Sequence, residues 1–173
     1  MSSKDHVCKV IFTGDQAVGK TSLISTYVAS QFKAQYNPTK GVNVVAKEFS
    51  LEGKIVTVVI WDIAGQEAFN KVRSKYYADT AVASIVYDVT SHKTLEDVRV
   101  WLNDLKRYLK EDVPLILVGN KIDLPRRVVS IEEGKGLTKE IGASFIETSA
   151  KTGENVRKLF EKILDLYVLK HDI

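Results

Sequence analysis

The sequence predicts an α/β fold: a mostly parallel six-stranded sheet with one antiparallel strand and helices on both faces. Two observations point there. Short apolar runs alternate along the chain with amphipathic stretches of helical period, which is the signature of strand–helix–strand units. Two of those runs, Ala81 to Val89 and Val113 to Val118, are almost continuously apolar, as strands covered on both faces must be. A third observation supplies the antiparallel strand. Val42 to Leu51 and Lys54 to Trp61 are separated only by Glu52-Gly53, a hairpin turn.

In chain order, Val7 to Thr13 reads as a strand that ends at Gly14, and Thr21 to Ser30 as a helix. The hairpin strands and the Ala81 to Val89 strand follow. Leu95, Val98, Trp101, Leu102, Leu105, Tyr108 and Leu109 recur at steps of three and four, giving a helix with one apolar face. After the Val113 to Val118 strand, Ser130 and Glu133 form a capping box that opens another helix. Phe145 to Glu147 is a last short strand. Val156, Leu159, Phe160, Ile163, Leu166 and Tyr167 mark a C-terminal helix. The 173 residues hold no internal repeat or linker-like run, so one domain over 1–173 is expected.

Composition excludes several classes. Cys8 is the single cysteine, and His6, His92 and His171 lie far apart, so neither a disulfide scaffold nor a Cys/His metal centre is expected. A net charge of +3, from 25 basic and 22 acidic residues, gives no nucleic-acid signal. No apolar run reaches membrane-spanning length. The first residues lack a signal-peptide core, and Ser2 excludes myristoylation. A reducing, cytoplasmic setting is expected.

In a wound sheet, ligands bind beyond the carboxyl ends of the strands, and the motifs fall there. The first strand runs into Gly14-Asp15-Gln16-Ala17-Val18-Gly19-Lys20-Thr21, a G-x-x-x-x-G-K-[ST] phosphate-binding loop in strand–loop–helix context. Its backbone N–H groups, the positive end of the following helix and the Lys20 charge converge on phosphates, and the Thr21 hydroxyl suits Mg²⁺. The next site follows Trp61: Asp62-Ile63-Ala64-Gly65, with an acid for the Mg²⁺ shell and a glycine N–H for a terminal phosphate. Asn120-Lys121-Ile122-Asp123 follows the Val113 to Val118 strand, and its Asp123 can accept from guanine N1–H and the 2-amino group, a donor pair adenine lacks. Asn120 and Lys121 would brace that loop. Ser149, Ala150 and Lys151 follow the last strand, small enough for close approach to the base, with a lysine stem to cover it.

With these motifs the chain resembles the Ras superfamily of small GTPases, a P-loop NTPase fold, and within it the Rab family. WDIAGQE (61–67), Tyr76-Tyr77, YDVT (87–90), NKID (120–123) and ETSAKTGENV (147–156) carry the resemblance. The resemblance implies a switch: GTP and Mg²⁺ are bound, GTP is hydrolysed slowly to GDP and phosphate, and segments of about 31–43 and 63–76 reorganise. It implies that Ser22 joins Gly14, Gln16, Ala17, Val18, Gly19, Lys20, Thr21, Thr39 and Gly65 around the phosphates. Thr39 would also join Thr21 and Asp62 on Mg²⁺. Gln66 would orient the attacking water, with Lys20 as the second catalytic group. Phe32, packing or ligand on sequence grounds alone, would lie beside guanine with Asn120, Lys121, Asp123, Ser149, Ala150 and Lys151. Tyr36 would close over the phosphates. Exchange factors, GTPase-activating proteins and effectors would read the switches through Val44, Trp61 and Tyr76. Vesicular transport is the implied setting, on the cytosolic face of an endomembrane held by a prenylated C-terminal tail. The expectation is that such a tail has been removed from this chain, the other reading being a protein without that anchor.

The chain departs from the Rab pattern in places. Gln16, followed by Ala17, stands in the phosphate loop where a smaller residue is usual, so slow turnover is expected, or a hydrolysis-impaired domain acting as an interaction module. Val44 replaces a phenylalanine of the effector-reading triad, and Ala68 an arginine. A nucleoside kinase would share the phosphate loop but not Asn120-Lys121-Ile122-Asp123.

Overall fold

The computed structural model describes residues 6–29, 33–35, 41–65, 70–110 and 112–173. The elements run β1 (His6–Thr13), α1 (Lys20–Val28), β2 (Lys33–Gln35), β3 (Val42–Leu51), β4 (Lys54–Ile63), α2 (Asn70–Tyr77), β5 (Val82–Asp88), α3 (His92–Glu96), α4 (Val98–Lys106), β6 (Leu115–Asn120), α5 (Ile131–Ile141), β7 (Ser144–Thr148) and α6 (Val156–His171). All strands join one sheet in the order β2-β3-β4-β1-β5-β6-β7. β1, β4, β5, β6 and β7 are mutually parallel, and β3 alone runs against β4. The six expected strands are therefore present, and β2 adds a three-residue edge strand antiparallel to β3. Three residues carry too little pattern to be read as a strand from sequence.

Period-two alternation divides the core between the two faces of the sheet. Cys8, Val10 and Phe12 of β1, with Val56, Val58 and Ile60 of β4, face α1 and α6. Leu23 and Ile24 close that cluster from α1, and Leu159, Phe160 and Ile163 from α6. Ile11 of β1, and Ala83, Ile85 and Tyr87 of β5, point to the other face, where Tyr77 of α2, Trp101, Leu102 and Leu105 of α4 and Leu137 of α5 cover them.

Local signals acted as expected. Glu52 and Gly53 adopt φ of 46° and 82°, both left-handed, as the tight hairpin turn requires. Ser130 accepts from the Glu133 N–H while the Glu133 carboxylate accepts from the Ser130 N–H, closing the capping box that starts α5. The apolar stripe from Leu95 to Leu109 is divided at Asp97 into α3 and α4, although the Asp97 N–H still reaches the Lys93 carbonyl. Helix α2 escaped the sequence reading because its stretch, NKVRSKYY, is mostly polar.

Candidate functional site

The carboxyl ends of β1, β4, β6 and β7 lie along one rim of the sheet, and the loops leaving them meet there. The loop after β1 starts at Gly14 with φ 139° and ends at Gly19 with φ 100°. Neither position tolerates a side chain: a Cβ on Gly14 would strike the Val86 carbonyl, and one on Gly19 the Asn120 amide. Helix α1 starts at Lys20 with no side-chain cap, so its first N–H groups face the loop's hollow. Such a terminus binds anions. Lys20 folds back over the loop, donating to the carbonyls of Gly14 at 2.9 Å and Asp15 at 2.7 Å. Burial lowers its pKa from 10.5 to about 8, against the pull of Asp62 and Asp15.

Thr21 and Asp62 meet at the same rim, the hydroxyl donating to the carboxylate over 2.5 Å. Burial raises the Asp62 pKa, opposed by Thr21 and Lys20. Two hard oxygens with one carboxylate suit Mg²⁺, which takes one or two carboxylates and completes its shell with substrate phosphates and water. Gly65 presses on the phosphate loop: a Cβ there would stand 2.5 Å from the Gly14 carbonyl and 2.7 Å from the Gln16 nitrogen.

The base side is assembled by Asn120, 1% exposed. Its amide donates to the Val18 carbonyl at 2.9 Å and accepts from the Thr148 hydroxyl at 3.1 Å and the Ala150 N–H at 3.2 Å. One side chain thus bonds the phosphate loop to the loop after β7. Lys121, held at φ 72°, donates to the Ala17 carbonyl and pairs with Asp88, both at 2.7 Å. Burial would raise Asp88, but hydrogen bonds from Lys121 and Thr90 outweigh it and keep its carboxyl below the usual range. The Ser149 hydroxyl donates to Asp123 at 2.7 Å. A cavity of about 400 Å³ opens between these loops, lined by Gly19, Ser22, Asn120, Lys121, Asp123, Leu124, Ala150 and Lys151. Its size suits a planar base, and its lining brings together seven residues that sequence reasoning assigned to the nucleotide.

A Ras family profile matches residues 9–168. The chain belongs to the Ras family. Among curated relatives, the Ras-related protein RABA5e of Arabidopsis thaliana is 45% identical over 166 residues, covering 95% of this chain and 76% of that protein. This chain is therefore a Rab-like small GTPase, of the kind that serves vesicular traffic, and its family binds GTP and GDP with Mg²⁺.

Of the GTPase's expected site residues, Gly14, Val18, Gly19, Lys20, Thr21, Ser22, Asp62, Gly65, Asn120, Lys121, Asp123, Ser149, Ala150 and Lys151 gather at this rim. Gln16 and Ala17 stand exposed on the crest of the phosphate loop, Ala17 in the left-handed region at φ 64°. Phe32, Tyr36, Thr39 and Gln66 lie outside the described residues. At the neighbouring surface, Val44 pairs across the sheet with Trp61, whose ring lies 5.8 Å from that of Tyr76 and 4.1 Å beneath the Lys9 ammonium. Sequence reading missed Thr148, which braces Asn120, and the bidentate Arg127–Glu147 ion pair, with N–O distances of 2.7 and 2.9 Å, which steadies the end of β7. It left Trp101 as core or helix surface; the indole N–H donates to Asp15 of the phosphate loop at 2.7 Å. Only an acid inside the loop, with a tryptophan on a helix far along the chain, could have hinted at that bond.

Proposed function

We propose that residues 1–173 form one GTP-hydrolysing domain whose segments of about 31–43 and 63–76 switch with the nucleotide and are read by membrane-traffic partners. The observation that carries this reading is the Asn120 side chain, bonded at once to the phosphate loop and to the loop that flanks the base. It makes one continuous seat for a base and its phosphates.

The reaction is GTP + water → GDP + phosphate. Thr21 and Asp62, with Thr39 by the motif, would hold Mg²⁺, which would supply neutralisation of phosphate charge. The loop N–H groups from Gly14 to Thr21 and the Lys20 ammonium bind the phosphates and stabilise charge moving toward the leaving oxygens. Gln66 orients the attacking water. Asp123 selects guanine, Ser149 holds its carboxylate, and Phe32, Lys121 and Lys151 enclose the base. The Gly65 N–H, with Thr39 by the motif, would hold the terminal phosphate, and loss of that phosphate on hydrolysis would relax both switch segments. An exposed Gln16 crowds this end of the site and slows turnover. The intact Lys20, Thr21, Asp62 and Gln66 support hydrolysis over a locked interaction module.

Effectors, exchange factors and activating proteins would read Val44, Trp61 and Tyr76, a surface with less aromatic area than a phenylalanine at residue 44 would give. No helix among the described residues is long and apolar enough to cross a membrane; attachment to the cytosolic face of an endomembrane would come from a prenylated tail.

Calorimetry of stripped protein with GDP, GTP, ADP and ATP in Mg²⁺ tests the reading. A preference for guanine nucleotides of about 10² or more is expected, lost in Asp123→Ala. Equal affinity for adenine nucleotides would overturn it.

A further inference from the structure

Asp15 is gripped from three sides. Lys20 donates to its carbonyl at 2.7 Å, and the Trp101 indole N–H to its carboxylate at 2.7 Å. Gly65 abuts its backbone, so closely that a Cβ there would stand 2.7 Å from the Asp15 carbonyl carbon. The same indole has a second contact. The Arg73 guanidinium of α2 lies over its face, 4.4 Å from the ring centroid. Both side chains are over nine-tenths buried. Nε and Nη1 of Arg73 have no hydrogen-bond partner among the described residues. Beside Asp15, Asp97 is paired with Lys93 at 2.6 Å.

Helix α2 is held unequally along its length. Its C-terminal Tyr77 is fully buried and donates to Asp104 of α4 at 3.0 Å. One turn earlier, Arg73 rests on a π face, two of its nitrogens without a partner among the described residues. Burying two guanidinium nitrogens without acceptors is costly, so this end of α2 is the weakly held one.

We propose that Trp101 and Asp15 are positioning residues that couple α2 to the phosphate loop, so that nucleotide grip and the position of α2 are set together. The inference rests on the GTPase reading above and goes beyond it, because neither side chain is among the groups assigned to the nucleotide. Coupling of this kind is reciprocal: a partner that shifts α2 loosens or tightens the nucleotide through one indole N–H.

Release of a fluorescent GDP from the purified protein tests it. Trp101→Phe keeps a ring under Arg73 but removes the donor to Asp15. About a five- to tenfold faster release is expected, the cost of one charge-assisted hydrogen bond. Asp15→Ala should match it, the double variant should be no faster than either, and Asp15→Asn, whose neutral amide oxygen still accepts, should release at a rate between those of the parent and Asp15→Ala. In a Trp61→Phe background, the Trp101 emission change between GDP and a non-hydrolysable GTP analogue should vanish on Arg73→Met. Asp15→Ala stands in if Trp101→Phe does not fold. Release within twofold of the parent in both Trp101→Phe and Asp15→Ala, or Asp15→Asn behaving like Asp15→Ala, would overturn the coupling while guanine binding itself persisted. Absence of guanine binding in the parent protein would instead overturn the functional reading and the coupling with it.

Discussion

Raising the pH from about 7 to about 8.5 should weaken GDP binding roughly fourfold through Lys20 alone. Protein groups hold this lysine near a pKa of about 8, chiefly by burial. Phosphates at the loop favour the charged form and return it toward its ordinary value. At about pH 7 some nine-tenths of the stripped protein already carries the charge, so binding is nearly free of protonation cost. At about pH 8 half does, and each binding event takes up about half a proton; at about pH 8.5 the uptake is about three-quarters. Calorimetry in two buffers of different ionisation enthalpy measures this uptake directly, below the pH at which guanine loses its own N1 proton. Lys20→Arg, charged throughout, should show no uptake. The stripped protein's stability moves the opposite way. The unfolded chain holds the Lys20 proton up to about 10.5 and the folded one only to about 8, so stability rises with pH across that window, by up to about 3 kcal/mol. Flat affinity and no proton uptake would refute the reasoning.

Three further outcomes are expected. Gln16→Gly should speed single-turnover GTP hydrolysis by about tenfold or more, since it clears an exposed side chain from the loop crest; equal rates would show that Gln16 is innocent. Ala17→Gly should relieve the left-handed strain at φ 64° and add about 0.5–1 kcal/mol, seen as a Tm rise of a few degrees by calorimetry. Asn120→Ala removes three hydrogen bonds and leaves the Val18 carbonyl and Ala150 N–H without them, so GDP affinity should fall by about two orders of magnitude, measured by competition with fluorescent GDP.

Much of this site could be read in the chain because its chemistry is local. Gly14 to Thr21 is one loop, and the left-handed glycines, the uncapped helix start and the lysine are contiguous in sequence. Almost continuously apolar runs placed β5 and β6, since strands covered on both faces leave little freedom of composition. The rest depended on contacts between distant segments. Nothing near Trp101 announces that its N–H meets Asp15, 86 positions away. Thr148 looks like an ordinary strand end until Asn120 is found beside it. Helix α2 was invisible because Arg73, Lys75 and their neighbours give it no apolar stripe; Tyr76 and Tyr77 at its end attach it to the core. The placement of Phe32, Thr39 and Gln66 continues to rest on the motif pattern.

The two apolar clusters on opposite sides of the sheet divide labour. Among the described residues, helix α2 joins the cluster built on Ile11, Ile85 and Trp101. The cluster of Cys8, Phe12, Leu23 and Phe160, which seats α1 and hence the lysine end of the phosphate loop, lies behind the strands and, among the described residues, includes none from α2. Rearrangement on one side can therefore proceed at constant support from the other. Amide exchange in α1, β1 and α6 should keep the same slow clock whichever nucleotide is bound, while α2 and its neighbours change pace.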